Sequence, residues 1–236
     1  FFSTHTPPYE IPLRLVGSEM CIRDRINDEA FSIVYVARGF FDQRYAKDGH
    51  MEGPGNFKYS QEFKKAAEHE GIKFIILDGH RLIAKNLYAT GTVPRTVESY
   101  NGPKGYYLDS NLSIPDVIKD DQSLGMLTDR GWVMMSGCGH SGIINTAKKL
   151  QSIKDLPVYG AIGGFHLFRA GDDVIENTAI WLKKNGLNKF MGGHCTGIHA
   201  ANTIASIVGI ERQNLSHTAI GSVLTKELSI IRSSVE

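Results

Sequence analysis

No stretch of the sequence approaches the roughly 20 consecutive apolar residues that a membrane-spanning helix requires, which argues against a transmembrane segment. Lysine and arginine form no dense run and the formal net charge is +1, so the charge pattern favours neither nucleic acid nor an anionic membrane as a partner. Internal repeats and low-complexity segments are also absent. What is present is an ordinary globular composition, 42% hydrophobic and 22% charged over 236 residues, which predicts a domain with a sizeable core.

Cysteine is scarce, since the chain contains three, and three thiols cannot all pair in disulfides. Two of them, Cys138 and Cys195, lie close to histidines in glycine-rich segments. Disulfides are rare in the reducing cytoplasm, where cysteines grouped with histidines are more typical of metal sites. The pattern predicts a cytoplasmic protein with reduced thiols near a metal ion.

The first 25 residues differ from the rest because they show neither the period of a strand nor that of a helix. They are not a signal peptide, since no basic start precedes an apolar segment of adequate length. Residues 17–25 resemble translated sequencing-adapter read-through. This predicts an unrelated or artefactual leader at 1–25 and a domain at 26–236, although a natural disordered terminus fits the composition equally well.

Three apolar runs in the second half of the chain are predicted to be strands, at residues 132–135, 157–162 and 188–191. Helices are predicted after them from apolar residues at helical spacing, at 143–153, 173–185 and 198–208. Between each strand and its helix lies a glycine-rich turn with one histidine: His140, His166 and His194. If the strands are neighbours in one sheet, all three histidines face one edge of that sheet.

The first half gives weaker signals. A helix is predicted from Ser60 to Glu70, strands at residues 73–77 and 86–90, and a loop at 48–59. Residues 26–41 are apolar enough for either a strand or a helix.

His140 and Cys138, two residues apart at a strand end, are predicted metal ligands, because imidazole and thiolate are both common zinc donors. His194 is predicted to be a ligand as well, and the glycine pair before it allows the backbone to approach a ligand closely. His166 precedes Leu167 and Phe168, so ligation and a buried or ligand-orienting role fit it equally.

Cys195 follows His194 in a pattern that hints at a cysteine-dependent phosphatase loop. Such a loop needs an arginine six residues after the cysteine to bind the phosphate oxygens. Position 201 is Ala201, so the nucleophile hypothesis ranks below the metal one. Asp120 and Asp121 are predicted to orient a ligand histidine or to contact substrate, while a solvated pair of acids remains the simpler alternative.

These segments together resemble the metallo-β-lactamase-fold hydrolases. The motifs are Asp-Asp-Gln-Ser-Leu at 120–124, Ser-Gly-Cys-Gly-His-Ser-Gly-Ile-Ile-Asn-Thr at 136–146, Gly-Gly-Phe-His-Leu at 163–167 and His-Cys-Thr-Gly at 194–197. Within that superfamily they resemble the subgroup named for dihydropterin-ribofuranosyl-aminobenzene 5′-phosphate synthase. Gly-Thr-Val-Pro-Arg at 91–95 is similar to that subgroup's Gly-Glu-Ile-Pro-Arg element, with Thr92 in place of glutamate.

The resemblance implies an α/β fold, an αββα sandwich with a pair of metal ions, usually zinc, at one edge of the sheets. It implies a small-molecule substrate whose ester or phosphoester bond is attacked by metal-bound hydroxide. His140 and His194 match ligand positions, and Cys138 falls where many relatives have a bridging aspartate. Thr196 and Gly197 are predicted to contact substrate.

The family's first metal motif, His-X-His-X-Asp-His, occurs nowhere in this sequence. It supplies most of the ligands and is expected upstream of Asp28. The sandwich is therefore predicted to be incomplete at its N-terminus, as a truncated part of a dinuclear hydrolase that is inactive by itself. The alternative hypothesis is a non-catalytic binding or regulatory module on the same fold.

Overall fold

The computed structural model describes residues 32–46, 61–99, 104–219 and 221–232. The predicted leader at 1–25 and the loop predicted at 48–59 lie outside these residues. The described residues fall into two compact units, one within 1–77 and 103–117 and the other within 78–102 and 118–236. The predicted boundary between residues 25 and 26 stays a prediction.

Within the described residues, the first unit contains two small sheets and one helix. Its elements are β1 (Ile33–Ala37), β2 (Tyr45–Ala46), α1 (Gln61–His69), β3 (Lys73–Leu77) and β6 (Tyr106–Tyr107). β1 pairs in parallel with β3, and β2 pairs antiparallel with β6. Ala67 of α1 and Ile72 are buried together at the centre of a small hydrophobic cluster.

The second unit is built on a seven-stranded sheet. Its strands are β4 (Arg81–Ala84), β5 (Leu87–Ala89), β7 (Ser123–Thr128), β8 (Gly131–Ser136), β9 (Val158–Gly163), β10 (Lys189–Gly192) and β11 (Leu215–His217). In space they follow the order β11-β10-β9-β8-β7-β5-β4. The strands from β8 to β11 are parallel, and those from β4 to β8 are antiparallel. A separate hairpin pairs β12 (Val223–Leu224) with β13 (Ile230–Ile231).

Helices connect the parallel strands, as such connections require. They are α2 (Ile143–Ile153), α3 (Asp172–Lys184) and α4 (Ile198–Val208). Each has an apolar stripe at helical spacing, and the three stripes contribute to one core with residues of the strands. None of the helices in the described ranges combines the length and apolar character that crossing a bilayer requires.

The core centres on the β8 strand and the helix that follows it. Trp132 and Leu150 are fully buried, and the indole of Trp132 donates a hydrogen bond to the Lys154 carbonyl at 2.9 Å. Gly125 of β7 lets α2 approach closely, because a Cβ there would lie 2.3 Å from a methyl group of Leu150. The predicted α/β class is confirmed, and the structure builds it on one large mixed sheet.

Candidate metal centre

Parallel pairing brings three turns to the same edge of the large sheet. The last residues of the strands are in register, with Ser136 of β8 opposite Gly163 of β9, and Gly163 opposite Gly192 of β10. The turns that follow, at 137–142, 164–171 and 193–197, therefore begin at the same level. They contain the three histidines that the sequence predicted at the strand ends.

Glycines allow these turns to pack backbone against backbone. A Cβ on Gly164 would lie 2.2 Å from the Gly137 carbonyl oxygen, far inside van der Waals contact. The Gly164 amide instead donates to the Ser136 carbonyl at 3.2 Å, and the Gly193 amide donates to the Gly163 carbonyl at 3.0 Å. The glycine-rich sequence is thus a requirement for bringing the turns together.

A group of sulfur and imidazole atoms lies where the first and third turns meet. The Sγ of Cys138 is 3.0 Å from Nε2 of His194. The Sγ of Cys195 joins them, and the three ligand atoms all lie within 4.8 Å of one another. Two donors on one tetrahedral zinc ion are about 3.5 Å apart, given bonds of ~2.3 Å to sulfur and ~2.1 Å to nitrogen. The spacing fits a single ion.

Cys195, which the sequence placed near a metal ion without naming it among the ligands, belongs to this group. Its Sγ accepts a hydrogen bond from the His166 amide at 3.3 Å and donates to the Cys138 carbonyl at 3.1 Å. Burial is the largest cause that raises the pKa of this thiol to about 11. Without a metal, Cys195 is therefore a neutral thiol at neutral pH. Both cysteines are free of disulfides.

His140 and His166 form a second pair of candidate donors. Their ring centroids are 4.4 Å apart with the planes tilted by 51°. Burial, and then the nearby charge of His140, lower the pKa of His166, so the ring stays neutral at pH 7 and can offer a lone pair. His166 and His194 both have φ of 49°, a left-handed conformation that is uncommon for residues other than glycine. Such strain is concentrated at functional sites.

The predicted orienting acids differ in what they contact. Asp121 accepts a hydrogen bond from the Ser141 amide at 2.8 Å, which fixes the turn that carries His140, and its charge also favours protonation of His166. Asp120 is half-buried in the segment before β7. Asp121 thus has the geometry of a positioning residue, while the substrate and ligand-orienting roles stay predictions.

Thr196 and Gly197 hold the turns in place. The buried hydroxyl of Thr196 donates to the Gly163 carbonyl at 2.9 Å and accepts from the Phe165 amide at 3.1 Å. Gly197 has φ of 79°, and a Cβ there would lie 3.0 Å from Phe168. Their contact with substrate stays a prediction, because the Thr196 hydroxyl is already used between two turns.

Glu98 and Asn145 form a connection that the sequence did not indicate. The Asn145 side chain accepts from the amides of Thr96, Val97 and Glu98 and donates to the carbonyls of Glu98 and Ser141. A Glu98 carboxylate oxygen accepts a hydrogen bond from the backbone amide of Asn145 at 2.9 Å. Burial raises the pKa of Glu98 despite the amides at the start of α2. These contacts attach the segment before residue 99 to the His140 turn.

The fold matches that of a solved protein described as a metal-dependent hydrolase of the β-lactamase superfamily. The TM-score is 0.59 at 24% identity, over 74% of this chain and 64% of that one. This likeness shows the fold, so the chain has a metallo-β-lactamase-type fold, as the motifs predicted. No family profile matches the sequence.

Two curated proteins of Methanocaldococcus jannaschii are similar in sequence. One is named 7,8-dihydropterin-6-methyl-4-(β-D-ribofuranosyl)-aminobenzene-5′-phosphate synthase, and it is 40% identical over 98 residues, which are 41% of this chain and 33% of that protein. The other is an uncharacterized protein, 31% identical over 128 residues, which are 53% of this chain and 46% of the relative. The predicted resemblance is confirmed, and the matches span less than half the length of either relative.

Proposed function

We propose that this chain binds zinc at the edge where the three turns meet and contributes to the hydrolysis of a small-molecule ester or phosphoester. The observation that carries the proposal is the 3.0 Å approach of Cys138 Sγ to His194 Nε2, with Cys195 Sγ completing a group within 4.8 Å. The solved neighbour is described as a metal-dependent hydrolase, and a phosphate ester appears in the name of one relative. Both support the reaction class.

The donor chemistry fits zinc better than a hard cation. Thiolate and imidazole are zinc ligands, whereas magnesium and calcium prefer oxygen. Cys138, His194 and Cys195 would hold one ion, and His140 with His166 are the candidates for a second. A bound zinc ion supplies Lewis-acid activation of water and of the scissile bond. Asp121 fixes the turn carrying His140 through the Ser141 amide.

The available donors also argue for low activity of the chain by itself. A catalytic zinc ion needs about three protein ligands and one open position for water. The second candidate ion would have only the two imidazoles of His140 and His166, because the sequence lacks His-X-His-X-Asp-His. We propose that the chain binds zinc but turns over slowly, in the cytoplasm, where its free thiols stay reduced.

Zinc binding to the full chain tests the metal centre directly. Competition against a chromophoric chelator should show one bound ion, and Cys138→Ser and His194→Ala should each weaken binding by at least about 10-fold. The control is His69→Ala, which removes an exposed histidine at the end of α1. Wild-type zinc affinity in both site variants would refute the ligand assignment.

Activity is assayed separately with a generic phosphodiester and a lactam. The expected result is little turnover of either with zinc supplied. Robust turnover that a chelator abolishes would show that the donors of this chain suffice for catalysis. Absence of both zinc binding and turnover would instead support the non-catalytic binding module.

A further inference from the structure

Two large apolar side chains are exposed beside the metal-centre turns. Phe168 is 49% exposed and Ile198 is 70% exposed. Single exposed apolar residues are common on protein surfaces, but these two are brought together by the fold. Gly197, which directly precedes Ile198, packs against the backbone of Phe168, since a Cβ on Gly197 would lie 3.0 Å from the Phe168 Cα and Cβ.

The segment carrying Phe168 is fixed at the site. The Phe168 amide donates a hydrogen bond to the Cys195 carbonyl at 3.1 Å, and the Ala170 amide donates to the Leu167 carbonyl at 3.0 Å, which closes the turn. Asp172, at the start of α3, contacts His199, in the first turn of α4, at 2.7 Å. The Phe168 ring meets the ring of His166 edge-on, with centroids 5.2 Å apart. An aromatic group held in place loses little entropy when it binds a ligand.

A positive charge accompanies this apolar surface. The Arg169 guanidinium lies 5.0 Å from the centre of the Phe168 ring, and its charge is close enough to help lower the pKa of His166. Arg169 is exposed, and no ion pair joins it to a carboxylate of the described residues. It is therefore available to an anion that approaches the metal-centre turns.

We propose that Phe168, Ile198 and Arg169 form the substrate-recognition surface of this site. Its ligand is an organic anion whose planar or apolar part lies against Phe168 and Ile198 while its negative charge pairs with Arg169. A guanidinium suits phosphate and carboxylate, both of which match its planar set of donors. The inference rests on the proposed metal centre as the place where the bond is cleaved, and it adds the class of substrate.

Binding of phenyl phosphate to the full chain tests this surface, with inorganic phosphate and phenol as partial probes. Calorimetry is run with and without zinc. We expect phenyl phosphate to bind at least about 5-fold more tightly than either partial probe, because stacking and an exposed charge pair each contribute a factor of about this size. The ratio of the affinities for phenyl phosphate and inorganic phosphate is compared with and without zinc. This comparison separates recognition by the surface from any direct contribution of the metal.

Two variants separate the contribution of the aromatic ring to binding from that of the guanidinium. Phe168→Ala should remove most of the preference for phenyl phosphate over inorganic phosphate, and Arg169→Gln should weaken both phosphates by about 5-fold while leaving phenol unchanged. The matched control is Arg130→Gln. Its guanidinium lies 5.6 Å from the ring centre of Tyr159, beside the opposite end of β8, and the substitution should change nothing.

The outcomes distinguish this inference from the proposed function. Normal zinc binding with no preference for phenyl phosphate, or with the preference intact in Phe168→Ala and Arg169→Gln, overturns the recognition surface alone. Failure of the chain to bind phenyl phosphate at millimolar concentration also overturns it. Absence of zinc binding counts against the metal centre. The relative affinities of the metal-free protein for phenyl phosphate and the partial probes still test the recognition surface.

Discussion

Cys195 shows how the surroundings of one residue determine its chemistry. The thiol is partly buried, accepts from the His166 amide and donates to the Cys138 carbonyl. Burial is the main reason that its pKa rises to about 11. Because the thiolate is the reactive form, the metal-free protein should protect this cysteine from alkylation at neutral pH.

The prediction is measured by iodoacetamide labelling and peptide mass spectrometry. At pH 8 Cys195 should react about 100-fold more slowly than the same cysteine in the urea-unfolded chain, because an unfolded cysteine thiol has a pKa of about 8.5. The folded-state rate should rise with pH towards about 11. Equal rates in the folded and unfolded chains would show that the thiol is not buried as described.

Glu98 is a half-buried carboxyl group whose effect on stability depends on pH. Burial raises its pKa above 4.5 in the folded protein, so folding favours the protonated form. Its contribution to stability is therefore greatest below the unfolded pKa of about 4.5 and is lost as pH rises through the folded pKa. Glu98→Gln should remove this dependence, because an amide oxygen accepts from the amides of α2 without a charge.

Urea denaturation between pH 4 and 8 checks the Glu98 prediction. The stability difference between Glu98→Gln and wild type should move in favour of the variant as pH rises. Glu176→Gln, which removes an exposed carboxylate of α3, is the matched control. A difference that does not change with pH in Glu98→Gln would contradict the assignment.

Turns between the strands and helices are the elements on which the metal centre depends. Gly164 and Gly137 stand in neighbouring turns and face each other, yet they tolerate a side chain differently. A Cβ on Gly164 would lie 2.2 Å from a backbone oxygen, whereas a Cβ on Gly137 would meet nothing within 4 Å. A backbone clash can be relieved only by moving the turns apart.

Gly164→Ala should therefore lower the free energy of unfolding by about 1–3 kcal/mol and weaken zinc binding. Gly137→Ala adds the same methyl group and should stay within about 0.5 kcal/mol of wild type. Chemical denaturation and zinc competition measure both effects. Equal behaviour of the two variants would mean that the turns do not pack as closely as the structure indicates.

The elements around the site were predictable because each combines a buried apolar stripe with glycine at its ends. The helices predicted at 143–153 and 198–208 have those bounds, and the one predicted at 173–185 spans Asp172–Lys184. β7 was missed because its sequence, Ser-Leu-Gly-Met-Leu-Thr, contains a glycine that only the packing of Leu150 explains. In residues 26–41, pairing with β3 selects a strand at Ile33–Ala37.

The sequence could predict candidate site residues within each turn, but not the contacts between one turn and another. The three histidines at the strand ends were predicted because each lies in a glycine-rich turn between an apolar strand and a helix. The contacts of Cys195 with Cys138 and of Glu98 with Asn145 join residues 57 and 47 positions apart. No local pattern indicates such pairs, since they follow from strand order and from the direction in which each turn leaves the sheet.

At the scale of the whole molecule, a zinc ion would connect turns that follow different strands of the large sheet. Cys138 comes after β8 and His194 after β10, with β9 between them. The unfolded chain does not hold these ligands together, so binding favours the folded state. The stabilisation grows with the ratio of free zinc to its dissociation constant and reaches about 2.7 kcal/mol at a hundredfold excess.

Thermal unfolding with increasing zinc measures this linkage. The midpoint should rise with zinc and fall back when a chelator is added, and at the same zinc concentration it should rise less in Cys138→Ser and His194→Ala than in the wild type. His69→Ala should respond as the wild type does, because its histidine lies outside the sheet that carries the site. A midpoint that rises equally in all variants would place the ion elsewhere, and one that never rises would separate the fold of this chain from metal binding.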